Sequence, residues 1–230
     1  MAHRTPNAVE LHGVTAGYGR TTVLEGVAAV LPRGRATALV GPNGSGKSTL
    51  LGVLAGVHAP TAGLLERRHR ERPALVVQRS AVPDALPITV RETVAMGRWA
   101  HLGPWRRPRA RDRAVVAACI DRLGIADLAD RPLGGLSGGQ RQRALLAQGL
   151  AQESDLLLLD EPSTGLDTGA QEVIQRVLEE VAGEGVTVVY ATHDADSALR
   201  AHHRLHLRNG RITAEAATAA PPARVPDEVA

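Results

Sequence analysis

"GPNGSGKSTLL", Gly41–Leu51, holds the only lysine in a chain of 230 residues; the other 26 of its 27 Lys and Arg side chains are arginine. A short apolar run, "ATALV" (36–40), precedes the stretch, and a segment with helical spacing, Ser48–Ala55, follows it. G-x-x-x-x-G-K-[ST] between a buried strand and a helix predicts a phosphate cradle. Gly41, Gly44 and Gly46 let the backbone turn so that successive N–H groups point inward at an anion. Pro42, Asn43, Ser45 and Thr49 complete the cradle, and the helix starting near Lys47 adds the positive end of its dipole. Ser48 offers a hydroxyl to Mg²⁺. A compact ammonium on a flexible stem can lie over such a loop and reach terminal phosphates as a point charge, where a planar guanidinium would collide with it. The stretch predicts a nucleoside triphosphate site.

Further apolar runs read as buried strands: "ALVV" (74–77), "LLLLD" (156–160) and "VTVVYAT" (186–192). Helical spacing recurs between them, at Arg111–Leu123 and Thr168–Val181, so the core predicts a mainly parallel α/β sheet of the P-loop NTPase type. The opening segments, "VELHGVTAGYG" and "TTVLEGVAAVLPRGR", alternate instead, as in an antiparallel β-ribbon with one exposed face. From about 83 to 150 helix starts dominate, Thr89 capping one of them, and this region reads as a helical insertion in the core. The tail from about residue 214 is rich in alanine and proline with little to bury, which predicts disorder.

Composition narrows the functional class. The chain is 43% hydrophobic and 22% charged, with a net charge of only +3. Such a small charge does not support a nucleic-acid partner, although the pI is 9.7. One cysteine, Cys119, excludes an internal disulfide and fits a reducing compartment. The runs "RRHRER" (67–72) and "RRPRARDR" (106–113) are interrupted by acids, proline and a turn, and read as solvated faces. "HHRLH" (202–206) reads as a strand whose solvated face carries Arg204, His206 and Arg208, rather than as a metal cluster.

"LLLLDEP" delivers two adjacent carboxylates to the strand edge that carries the phosphate loop. Asp160 is placed to hold Mg²⁺ and Glu161 to orient or deprotonate an attacking water; the plainer reading is an acidic strand end before a proline turn. "LSGGQRQRALLAQGL" (136–150) is a second helix start ready for an anion, 90 residues beyond Lys47. One nucleotide needs one cradle, so a second implies a site completed between two molecules.

In this order and spacing, "GPNGSGKST", "LSGGQ", "LLLLDEP", "STGLD" and "THD" resemble the ATP-binding cassette (ABC) subunit of a transporter, from Val9 to about Ile212. The resemblance implies an ABC ATPase domain over residues 1–213 that binds ATP with Mg²⁺ and hydrolyses it. Tyr18 matches the aromatic that stacks on adenine, its alternative being a ribbon core residue. Gln78 matches the glutamine that touches Mg²⁺ and senses the membrane partner. Ser137, Gly138, Gly139 and Gln140 match the signature that closes over the γ-phosphate held by the opposite subunit. Asp167 matches a dimer-facing aspartate, and His193 the switch histidine that works with Glu161.

With no stretch long and apolar enough to span a bilayer, such a subunit implies a second copy of itself and a separate membrane permease, at the cytoplasmic face of the membrane. The region after Gln78, with Trp99 and Trp105, is similar to that of zinc and manganese importer ATPases, which implies an extracytoplasmic metal-binding protein as an indirect partner. Importers of iron chelates or cobalamin, and a soluble iron–sulfur assembly ATPase, are the alternatives.

Overall fold

The computed structural model describes residues 7–77, 87–102 and 106–217; the expectations for Gln78, Trp105 and residues 218–230 lie outside the described residues. Strands β1 (Asn7–Tyr18) and β2 (Thr21–Pro32) pair antiparallel as a ribbon, closed by a tight turn in which Tyr18 faces Thr21. β3 (Ala36–Val40) leads through the glycine-rich loop into α1 (Lys47–Ala55). β4 (Ala62–Arg67) then returns to pair with β1, making a three-stranded antiparallel sheet in the order β2-β1-β4. β5 (Ala74–Val76) precedes the helical layer of α2 (Val90–Met96), α3 (Trp99–Leu102), α4 (Ala110–Arg122) and α5 (Gly138–Leu150). β6 (Leu156–Asp160), α6 (Thr168–Gly183), β7 (Thr187–Thr192), α7 (Ala195–Leu199), β8 (His203–Arg208) and β9 (Arg211–Ala217) complete the chain.

The second sheet has six strands in the order β5-β6-β7-β3-β8-β9, parallel except for the last pair. Where both faces of this sheet are covered, at β3, β6 and β7, the strands are buried on both sides. β6 shows how: Leu157 and Leu159 join a core shared with α5 and α6, while Leu156 and Leu158 join one shared with α1 and the antiparallel sheet. The four leucines are at most 2% exposed. Burying each stabilises the fold by roughly 1.5–3 kcal/mol relative to leaving it exposed.

One expectation changes. The alanine-rich stretch after residue 213 is not disordered from its start, since β9 continues to Ala217 by pairing with β8; at its end Glu215 lies 2.8 Å from Nε2 of His203. The alternation expected of "HHRLH" is present: Leu205 and Leu207 are buried while Arg204, His206 and Arg208 lie on the other face, and His203, only 5% exposed, stands with the leucines. Neighbouring His202 accepts the Ala36 N–H through Nδ1.

The helical layer is tied together by a buried cation. Arg98, 4% exposed, sits between α2 and α3 and donates through Nε to Asp112 on α4 (3.2 Å) and through Nη1 to Glu153 (2.7 Å) and the Ala151 carbonyl (2.8 Å) beyond α5. Asp112 also accepts the Arg109 N–H, closing the start of α4. That N–H, more than the Arg98 guanidinium, holds the Asp112 carboxyl below its ordinary range. A depressed folded value contributes stability above the unfolded carboxylate range and loses it as pH falls through the folded value. Asp112→Asn should therefore lower the urea midpoint at pH 7 and flatten its decline between pH 7 and pH 3. Equal declines in wild type and variant would exclude this role.

Candidate functional site

The phosphate loop is shaped by two close approaches. Gly46 caps α1 with φ 105, a conformation that L side chains rarely adopt. At Gly41 an added Cβ would come within 2.2 Å of the Leu207 carbonyl oxygen, so β8 presses directly on the loop. Ser45 N donates to Pro42 O at 3.2 Å, while Ser45 Oγ is buried with no hydrogen-bond partner among the described residues. Asn43 and Gly44 are exposed, as is Ser48 in the first turn of α1; Thr49 is buried behind it. Lys47 is 5% exposed, and its Nζ donates to the carbonyls of Gly41 (2.8 Å) and Pro42 (3.2 Å). The ammonium thus lies across the loop.

Strand register brings the acids to the same edge. Val40 pairs with Thr192, and Ala191 with Asp160, so β3, β7 and β6 all end beside the loop. Glu161 then bends the chain with φ 48 while its N–H donates to Ala191 O at 3.2 Å. Its Oε1 stands 3.7 Å from Lys47 Nζ and 3.6 Å from Nδ1 of His193, the residue that follows β7. Three residues far apart in the chain thereby meet around one carboxylate oxygen. Ser48 and Asp160 offer a hydroxyl and a carboxylate, an all-oxygen donor set that suits a hard divalent cation such as Mg²⁺.

The Ser137–Gln140 segment heads α5. Ser137 Oγ accepts the Gln140 N–H at 3.3 Å, and Gln140 Oε1 accepts the Ser137 N–H at 3.0 Å, a reciprocal capping box. Gly138 and Gly139 form the first turn between them. Asp167 caps α6 by accepting the Ala170 N–H at 2.9 Å. An ideal Cβ at Gly139 would touch Ala170 at 3.0 Å, so the two helix starts pack together.

Tyr18 is 51% exposed and is not a ribbon core residue. Its Oη lies 3.2 Å from Nε2 of His58 and accepts the Thr49 hydroxyl at 3.4 Å. Sequence reading missed His58, which follows α1 in a turn and belongs to no motif. Arg98 was missed too, because a buried arginine looks no different in sequence from the exposed ones around it. The basic runs are solvated as expected: Arg68 meets Glu10 and Glu66 at the surface, and Arg113 donates to the Pro108 carbonyl.

A family model described as ABC transporter matches residues 24–164. The ferric enterobactin transport ATP-binding protein FepC of Escherichia coli is 40% identical over 228 residues, covering 93% of this chain and 83% of that one. The zinc transport system ATP-binding protein TroB of Treponema pallidum is 36% identical over 219 residues, covering 93% and 82%. A solved dimeric ATP-binding cassette in a post-hydrolysis state, bound to ADP and Pi, matches with a TM-score of 0.80 at 25% identity, covering 91% of this chain and 98% of that one. Matched by the family model over more than half its length, and aligned with relatives along most of theirs, the chain belongs to the ABC transporter family as an ATP-hydrolysing subunit.

Proposed function

We propose that the chain is the ATPase of a metal importer, and that two copies enclose ATP between the phosphate loop of one and the Ser137–Gln140 segment of the other. The meeting of Lys47, Glu161 and His193 at one carboxylate oxygen carries the catalytic part of this reading. Lys47 and the loop N–H groups, with Gly41, Pro42, Asn43, Gly44, Ser45, Gly46 and Thr49 forming the cradle, neutralise charge on the β- and γ-phosphates as the leaving bond loosens. Glu161 orients a water for attack on the γ-phosphorus and takes its proton; the Pγ–O bond to ADP breaks as the bond to water forms. His193 steadies the γ-phosphate beside Glu161. Ser48, Asp160 and Gln78 are the residues that would hold Mg²⁺, whose charge offsets that of the phosphates when bound.

Tyr18 stacks on adenine. Hydrolysis removes the phosphate that bridges the halves and lets them part, which drives the permease. No helix of the described residues is long and apolar enough to cross a membrane. In this reading the subunit docks on a separate permease at the cytoplasmic face, as a component of a transport system like those its relatives are named for. Support for a docking face comes from exposed Trp99 (62%) and Val77 (45%), and from a small cavity of about 170 Å³ lined in part by Val77, Leu145 and Gln148.

For cargo, the reading is zinc or manganese delivered by an extracytoplasmic binding protein, supported by likeness to TroB along 93% of the chain. The higher identity to FepC favours a second reading, a ferric chelate.

Lys47→Ala should lower ATP turnover by roughly 10²–10³-fold, the scale of losing one electrostatic stabiliser. Glu161→Gln should lower turnover by roughly 10²–10⁴-fold while ATP still binds. Size-exclusion chromatography of Glu161→Gln with ATP and Mg²⁺ should show a dimer that EDTA dissolves; a monomer in both conditions would sink the two-molecule site. Cells expressing Glu161→Gln under chelator stress should fall in zinc or manganese content relative to wild type. A fall in iron alone would transfer the assignment to the ferric chelate.

A further inference from the structure

An aromatic platform for a nucleotide base must keep one ring face open while its orientation stays fixed. Tyr18 has the first property, being half exposed at the very end of β1. The second is supplied from α1 and the turn that follows it. The Tyr18 and His58 rings meet edge to face, with centroids 4.9 Å apart at 84°, and Oη lies 3.2 Å from Nε2. The buried Thr49 hydroxyl donates to the same phenol oxygen at 3.4 Å. In either neutral tautomer of His58 one hydrogen bond forms, with the phenol donating to a bare Nε2 or accepting from Nε2–H.

His58 is itself seated. After Gly56, whose φ is 76, the chain folds back so that the N–H groups of Val57 and His58 both donate to the Gly52 carbonyl, at 2.9 and 3.1 Å. The imidazole then lies over Gly52, where an added Cβ would come within 2.4 Å of Cδ2 and 3.1 Å of Nε2. Gly52 is in mid-helix without positive φ, so nothing in its backbone asks for glycine. Glycine at such a position destabilises a helix relative to alanine. What the missing side chain provides here is room for the imidazole.

We propose that His58, seated on Gly52, is a positioning residue that fixes the Tyr18 ring as the platform for the nucleotide base. The inference rests on the reading of Tyr18 as that platform. It also links the two ends of the nucleotide site, because α1 begins with Lys47 at the phosphates and ends in the turn that holds the base platform. Stacking of a base on an aromatic ring strengthens binding, and a ring free to rotate forfeits part of that gain.

The test is steady-state MgATP hydrolysis by the full chain, with melting temperature recorded for each variant. His58→Leu should raise KM for ATP roughly fivefold while kcat stays within about twofold, a share of the stacking energy lost in binding alone. His58→Gln, which restores a donor and an acceptor, should recover most of the wild-type KM. Gly52→Ala should raise KM as His58→Leu does, by unseating the ring. In a Tyr18→Ala background His58→Leu should add nothing further. If Tyr18→Ala raises KM and His58→Leu does not, or if His58→Leu lowers kcat instead, the positioning role is wrong and the platform stands. If Tyr18→Ala leaves KM unchanged, the platform reading fails and the positioning role with it.

Discussion

The register in which β6, β7 and β3 pair decides where every charged group of the phosphate site stands. A one-residue slip of a strand turns all its side chains to the opposite face, and in β6 such a slip would meet little resistance from the leucines, which fill both cores. Its register is held at the ends. Before the strand, Ser154 Oγ accepts the Leu156 N–H at 3.1 Å and donates to the Leu156 carbonyl at 3.0 Å. After it, the Glu161 N–H is bound to Ala191 O, and Asp160 must stay at the edge because a carboxylate in either core would be desolvated without a partner. The polar ends thus supply the specificity that the apolar middle lacks.

Burial of Lys47 follows from the same constraint. An ammonium removed from water needs compensation, and here the carbonyls of Gly41 and Pro42 and the carboxylate of Glu161 surround it. Glu161 reaches that place through a left-handed backbone, which costs a non-glycine residue about 1–2 kcal/mol. Pro162 disfavours the right-handed alternative for the residue before it, and the bond to Ala191 holds the bend.

Much of this arrangement was legible in the sequence, because it depends on local patterns. Largely apolar runs of four to seven residues flagged the parallel strands, alternation flagged the ribbon, and the glycine spacing flagged the loop. What escaped depends on packing between distant segments. His58 acts only because Gly52 leaves a space one and a half turns earlier, and Tyr18 arrives from another sheet. Arg98 needs acids from two other places in the helical layer. His203 is buried because β9 returns to cover the edge of β8, and the composition of that strand, "RITAEAA", carries little β preference of its own.

Helix ends add a pattern that runs through the whole chain. An acidic side chain at or near a helix N-terminus complements the dipole and typically stabilises by about 0.3–1 kcal/mol. α2 has Glu92, α4 has Asp112, α6 has Asp167 as its cap, and α7 has Asp194 and Asp196. Among the described helices longer than four residues, only α1 and α5 carry no acid at the cap or in the first turn. The capping box of α5 satisfies its donors with neutral groups, Ser137 and Gln140, and so leaves the positive end of the dipole uncancelled. A carboxylate at either start would add stability to the isolated subunit and repel a phosphate. The two helices that forgo it are those with glycine-rich starts, the pair proposed above to receive an anion from outside the chain.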